Sequence, residues 1–142
     1  MVFDNTEQLE QHLYQKMLGV IMRIQDYVEE IINGFLQEYY MEYAPSPDGY
    51  ERTFQFLHSV VKSNIKGTNN GFLAYVYIDY DRLNYKDWTG YEVVYNAGIQ
   101  GEHGGVIVKD GTKVWIESLQ TIKKYFPDYV KQSCKRYGIP VM

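Results

Sequence analysis

Cysteine is almost missing from this chain of 142 residues. Cys134 stands alone, so no internal disulfide can form, which fits a reducing compartment or a fold that needs no covalent staple. Histidine is scarce as well. His12, His58 and His103 are scattered, and none shows a ligand spacing such as H-E-x-x-H, so no metal site is expected. Long apolar runs are absent: Val20-Ile21-Met22 and Gly105-Val106-Ile107-Val108 are far too short to cross a bilayer, so no membrane partner is expected. The opening Met1-Val2-Phe3-Asp4 has neither the basic start nor the apolar stretch of an export signal.

The chemistry of catalysis is equally thin. Glu102-His103 has no second fixed partner, and Cys134 has no neighbouring base or resolving thiol, so it reads as a small core hydrophobe on the last helix. The glycines from Gly98 to Gly105 do not end in Gly-Lys-Ser/Thr and do not follow dinucleotide spacing. The expectation is no enzyme and no cofactor. Basic excess is missing too: the formal charge is −4, which disfavours direct sequence-specific nucleic-acid binding.

What is present is enough to fold. Leu, Ile, Val and Phe make up 27% of the residues, above the level at which a chain cannot bury a core, and the length suits one domain spanning residues 1–142. The charge is unevenly divided. Residues 1–51 carry ten acids and two bases, and residues 52–142 eight acids and twelve bases. An acidic front and a basic tail can pair within one molecule, or head to tail between copies. The 15 tyrosines outnumber the 14 Lys and Arg together, and Tyr offers a rigid contact surface with a polar tip, which favours half-exposed interfaces. For Tyr75 and Tyr77 the preferred reading is plainer, as residues of a half-buried strand.

From Leu9 to Tyr39 the apolar positions recur in steps of three and four, the pattern of an amphipathic helix over about residues 5–42. Asp4 is a candidate cap with Glu7 as its capping-box partner, and Ala44-Pro45-Ser46-Pro47 ends the run. Such a helix would be about 57 Å long, while a compact domain of this size is about 40 Å across. Either it breaks, at Asn33-Gly34 or Gly19, or another chain covers part of its stripe.

Farther on, a short helix to about His58 and a strand to Lys66 are expected. The connection Gly67-Thr68-Asn69-Asn70-Gly71 then leads to an alternating segment through Ile78, completing an antiparallel hairpin. Asp81 to Gly90 reads as irregular, Tyr91–Tyr95 as a strand or helical turn, and Gly98 to Gly105 as a mobile loop leading into Val106-Ile107-Val108. The sheet and its loops thus occupy about residues 50–112. An amphipathic helix follows over about residues 113–138, broken at Pro127 and stopped by Gly138. The fold class is α+β: a long N-terminal helix, a small antiparallel sheet of a hairpin plus one or two short strands, and a broken C-terminal helix.

Two stretches carry a resemblance. Tyr50-Glu51-Arg52-Thr53-x-x-x-Leu57-x-Ser59-Val60, entered from a Tyr-rich helix end and a proline loop, resembles a pattern in small structural proteins of tailed bacteriophages, in the tail-completion and head–tail connector group. Asn96-Ala97-Gly98, Gly101-x-His103-Gly104-Gly105 and Trp115-x-x-Ser118-Leu119 resemble that group's second half. The resemblance implies a protomer made in the bacterial cytoplasm that assembles as a ring, commonly sixfold, in the virion neck, against itself and other neck or tail proteins. Tyr39, Tyr40, Tyr43, Tyr50, Arg52 and His103 are the expected contact residues. The rival expectation is a phage-encoded inhibitor of a host defence system, such as an anti-CRISPR, whose acidic front occupies a basic groove.

Overall fold

The computed structural model describes residues 2, 5–41, 55–84, 89–100, 102–103, 106–107 and 112–141. Helix α1 (Thr6–Met41) is continuous over 36 residues, about 54 Å at the usual rise. Its cap is Asn5, not Asp4: the Asn5 side-chain oxygen accepts from the Gln8 amide at 2.9 Å, satisfying one of the donors a helix start leaves open. Asp4 lies outside the described residues.

The helix does not break at either proposed site. A lone Gly costs only about 1 kcal/mol in a helix, and around Gly34 that cost is set against the burial of Ile32 and Leu36. Gly19 has a different role. The Tyr137 ring lies where a side chain would stand, 2.5 Å from an ideal Cβ, so this glycine is a contact point between helices.

Strands β1 (Val60–Lys62), β2 (Lys66–Thr68), β3 (Gly71–Leu73) and β4 (Val76–Ile78) form the expected hairpin, in two ladders: Val60 opposite Ile78 in the first, Lys66 opposite Leu73 in the second. The connection is shorter than expected, because Gly67, Thr68 and Gly71 join the ladder and leave Asn69-Asn70 to turn. The expected short helix before it is a turn over residues 55–58. Between the two ladders the buried Gln25 of α1 donates its amide to both Ser63 O and Tyr75 O, each at 3.0 Å. The Tyr75 N–H in turn donates to Ser63 Oγ at 2.7 Å. The Ser63 amide also donates to Tyr75 O at 2.9 Å, so the helix clips both strands between the ladders and supplies Ser63 O with a donor.

A 3₁₀ turn over Tyr80–Arg82 leads to helix α2 (Gly90–Tyr95), which settles the expected strand-or-helix element as helix. Its start is a capping box. Thr89 Oγ1 accepts from the Glu92 amide at 3.2 Å and the Glu92 carboxylate from the Thr89 amide at 2.8 Å. Asn96–Gln100 continues as a π-helical turn, and β5 (Glu102–His103) pairs antiparallel with β6 (Val106–Ile107). The expectation of one mobile glycine loop from Gly98 therefore fails at its beginning. Gly98 is buried in regular structure, its ideal Cβ 3.0 Å from the Trp115 Cβ, so the missing side chain lets this turn seat on the last helix.

Helix α3 (Val114–Arg136) runs unbroken through Pro127, correcting the break expected there. Residues 123–128 are all exposed. The carbonyl that loses its partner to the proline ring can therefore turn to water, while the flanking turns stay packed. The C-terminus of the helix is closed by Gly138 at φ 70 with the Ile139 amide donating to Cys134 O at 2.8 Å, a left-handed cap. Cys134 is free and buried, as expected.

One α+β core joins these parts: Ile32, Leu36 and Tyr39 of α1 with Phe56, Ile78, Leu83, Ala97 and Val114. Helix α3 lies antiparallel along α1. Tyr27 stacks on Tyr129 with ring centroids 4.0 Å apart, and eight residues back along α1 Gly19 meets Tyr137, eight residues on along α3. By the same spacing the front of α1, Thr6 to Leu18, passes beyond the end of α3. Leu9 and Leu13 there are 39% and 45% exposed, although they continue the stripe that is buried at Val20. Among the described residues the second hairpin ladder reaches back to this end, where Tyr14 meets Phe72 with centroids 4.8 Å apart, and so does the tail after α3, where the Lys16 ammonium lies 3.4 Å from an ideal Cβ at Gly138.

Candidate protein interaction surface

An open groove of about 460 Å³ lies where β4, the 3₁₀ turn, α2, the π-helical turn and the start of α3 converge. Tyr77, Tyr80, Tyr91 and Tyr95 line it, with Ile99 and Trp115. Strand alternation sends Ile78 into the core and leaves Tyr77 outward, 43% exposed. On α2 the one-turn spacing stacks Tyr91 on Tyr95, with centroids 6.2 Å apart. The capping box fixes where this helix begins. Gly90 then allows it to close on the turn before it, since an ideal Cβ there would lie 3.0 Å from Tyr80 O.

Among the described residues the lining contains no carboxylate, imidazole, thiol or amine. What it offers is aromatic surface with phenol tips, which holds an apolar side chain and makes a few directed hydrogen bonds. Among the described residues no group of three His, Cys, Asp or Glu side chains could hold a metal ion, and no helix is long and apolar enough to cross a membrane.

The residues singled out in the sequence are not gathered at this groove. Tyr39 is buried at 9% and packs edge-on against Phe56, with centroids 5.9 Å apart. Its ring belongs to this chain's own core, and the expectation of a contact residue is corrected there: the i+3 and i+4 steps that put it on the stripe decided its burial. Tyr40 packs edge-on against Tyr39 and is half-buried. Tyr43, Tyr50 and Arg52 lie outside the described residues. The backbone of His103 pairs with Val106 in the last ladder. Tyr75 and Tyr77 are strand-associated as expected but more open than half-buried, at 58% and 43% exposure.

The high tyrosine content of the sequence does not by itself select these four as a site. The available signal was the i, i+4 pair Tyr91 and Tyr95 behind Thr89-x-x-Glu92, which marks a capped helix with an aromatic edge.

The model of a family described as YomN matches residues 5–137. No curated protein and no solved structure matches the chain.

Proposed function

The chain belongs to the YomN family, named after a gene of Bacillus phage SPBc2, and is thus a phage-associated protein; from that premise we propose that it is a structural protein of the virion neck. It acts in tail completion or head–tail joining, as a protomer of a ring held by protein–protein contacts. The observation that carries this reading is the groove of exposed tyrosines. Tyr91 is 64% exposed and Tyr80 47%, in a lining whose described residues include no carboxylate, imidazole, thiol or amine, which suits a surface completed by another protein better than a site that turns over substrate. The overhanging front of α1 supports it. A helix that outruns its own domain leaves apolar side chains for a neighbour to cover. Ring contacts are heterologous, so an acidic front and a basic tail on one chain meet their complements on the next copies.

Mass spectrometry of purified phage particles, with particles made without the gene, tests the proposal. The protein is expected in virions in several copies, and its loss is expected to leave heads and tails unjoined. Its absence from purified particles, with normal virions assembled in its absence, would overturn the reading.

A further inference from the structure

A second, smaller groove of about 380 Å³ lies at the far end of the molecule, lined by Lys131, Lys135, Gly138, Ile139, Pro140 and Val141. The left-handed Gly138 turns the tail back on the last turn of α3, so the aliphatic side chains of Ile139 and Val141 form one wall and two lysines the rim. Both lysines are exposed, and Val141 is 47% exposed. Among the described residues the ion pairs are Lys62 with Asp26 and Glu29, and Arg82 with Asp79. Among the described residues Lys131 and Lys135 thus face solvent without a carboxylate partner, and the exposed Glu7 and Glu10 without a basic one.

The front of α1 has the complementary chemistry: a leucine ridge, Leu9 and Leu13, one turn apart, with Glu10 at its edge and Glu7 one turn before. We propose that this front, Thr6 to Leu13, docks into the lysine-rimmed tail groove of a second copy of the chain. Leucines meet Ile139 and Val141, and glutamates meet Lys131 and Lys135, an amphipathic helix laid in a groove.

The chain's own α1 does not fill this groove: it is one continuous helix and supplies none of the lining residues, although the Lys16 ammonium lies 3.4 Å from an ideal Cβ at Gly138. Residues 131 and 133 are about 200° apart around a helix; Ser133 is fully buried on the packed side, so Lys131 opens away from α1. Leu9 and Leu13 lie on the stripe by which α1 packs on α3, and the lysines on the side of α3 turned from α1; a contact that engages one front and one groove leaves one of each free, which propagates head to tail until a ring closes. One helix front buries less than the ~1,600 Å² of a standard stable interface. Association in solution is accordingly weak and salt-sensitive, and closure of the ring strengthens it.

The inference rests on the ring reading above, and its test separates the two. Sedimentation velocity of the full chain across concentration at low and high salt is expected to show reversible oligomers that shrink as salt rises. The pairs Glu7→Lys with Glu10→Lys, and Lys131→Glu with Lys135→Glu, should each weaken association about tenfold or more. An equimolar mixture of the two variants should restore it, because each now carries the other's complement. Leu13→Ser should weaken it without changing the circular dichroism spectrum or Tm, since that side chain is exposed in the isolated chain. A wild-type chain that stays monomeric at every concentration, or lysine variants that associate like wild type, would overturn the inference. A virion protein with either outcome would leave the neck reading standing, with another partner on these faces.

Discussion

The two ends of α1 carry one hydrophobic pattern and meet two different fates. From Val20 to Tyr39 the stripe is covered by α3, the hairpin and the loops around Phe56, and Val20, Ile32 and Leu36 are 0–2% exposed. From Thr6 to Leu18 the same stripe runs on past the end of α3, with Leu9 and Leu13 open to solvent. Periodicity tells which side of a helix is apolar. What covers that side depends on where the rest of the chain ends, and that is a property of the tertiary fold.

The sharpest way to break this comparison is to truncate one leucine from each end. Leu36→Ala leaves a cavity in a fully buried site and is expected to cost about 2–5 kcal/mol of stability. Leu13→Ala removes an exposed side chain and is expected to stay within about 0.5 kcal/mol. Urea denaturation midpoints at dilute concentration measure both. Equal losses would mean that the front turns belong to the folded core.

Much of this was legible in the residues. The bounds of α1, the antiparallel hairpin, a strand beginning soon after His58, and the burial of Cys134 all follow from local periodicity and turn chemistry. Pro127 and the glycines were harder, because propensity states a cost without stating what offsets it. Pro127 is tolerated where the helix surface is wet, and Gly98 sits in a π-helical turn because Trp115 crowds it. Gln25 was legible in hindsight as the polar residue in step with Ile21, Val28 and Ile32. Which backbone groups it would meet depended on a hairpin forty to fifty residues away. The tyrosine groove needed five separate elements to converge, and no spacing within any one of them encodes that.

The two glycines of α1 sharpen the comparison at a smaller scale. An ideal Cβ at Gly34 meets nothing within 4 Å, so Gly34→Ala is expected to stabilise by about 0.5–1 kcal/mol through helix propensity. At Gly19 the same methyl would stand 2.5 Å from the Tyr137 ring. Gly19→Ala should displace that ring and cost about 1–3 kcal/mol net, the usual range for overpacking. Thermal unfolding of the two variants decides the matter. If Gly19→Ala were as stabilising as Gly34→Ala, the end of α3 would not be seated on α1 at all.

The smallest effect lies at the boundary of the covered region, where Lys62 of β1 reaches Asp26 of α1 at 2.6 Å with Glu29 at 3.9 Å. The hydrogen bond to Asp26, and then the charge of Glu29, raise the Lys62 ammonium above its ordinary 10.5. A group raised by folding contributes stability that is fully present below its unfolded value and is lost as pH climbs through the folded one. Burial, and then Tyr125 and Tyr129, likewise raise the Tyr27 phenol above 10.0, so its ionisation favours the unfolded chain over the same alkaline window. Stability should therefore be level below about pH 10 as far as these two groups act, and fall above it. Lys62→Met should remove the lysine's share and leave that of Tyr27. Both Lys62 and Asp26 are well exposed, so the pair is worth about 0.2–1 kcal/mol and fades with salt. Denaturation midpoints from pH 8 to beyond pH 11, at low and high salt, read the difference. An alkaline fall in Lys62→Met that matches wild type at low salt would show that the sheet is held to α1 by Gln25 and apolar packing, with no measurable part for the ion pair.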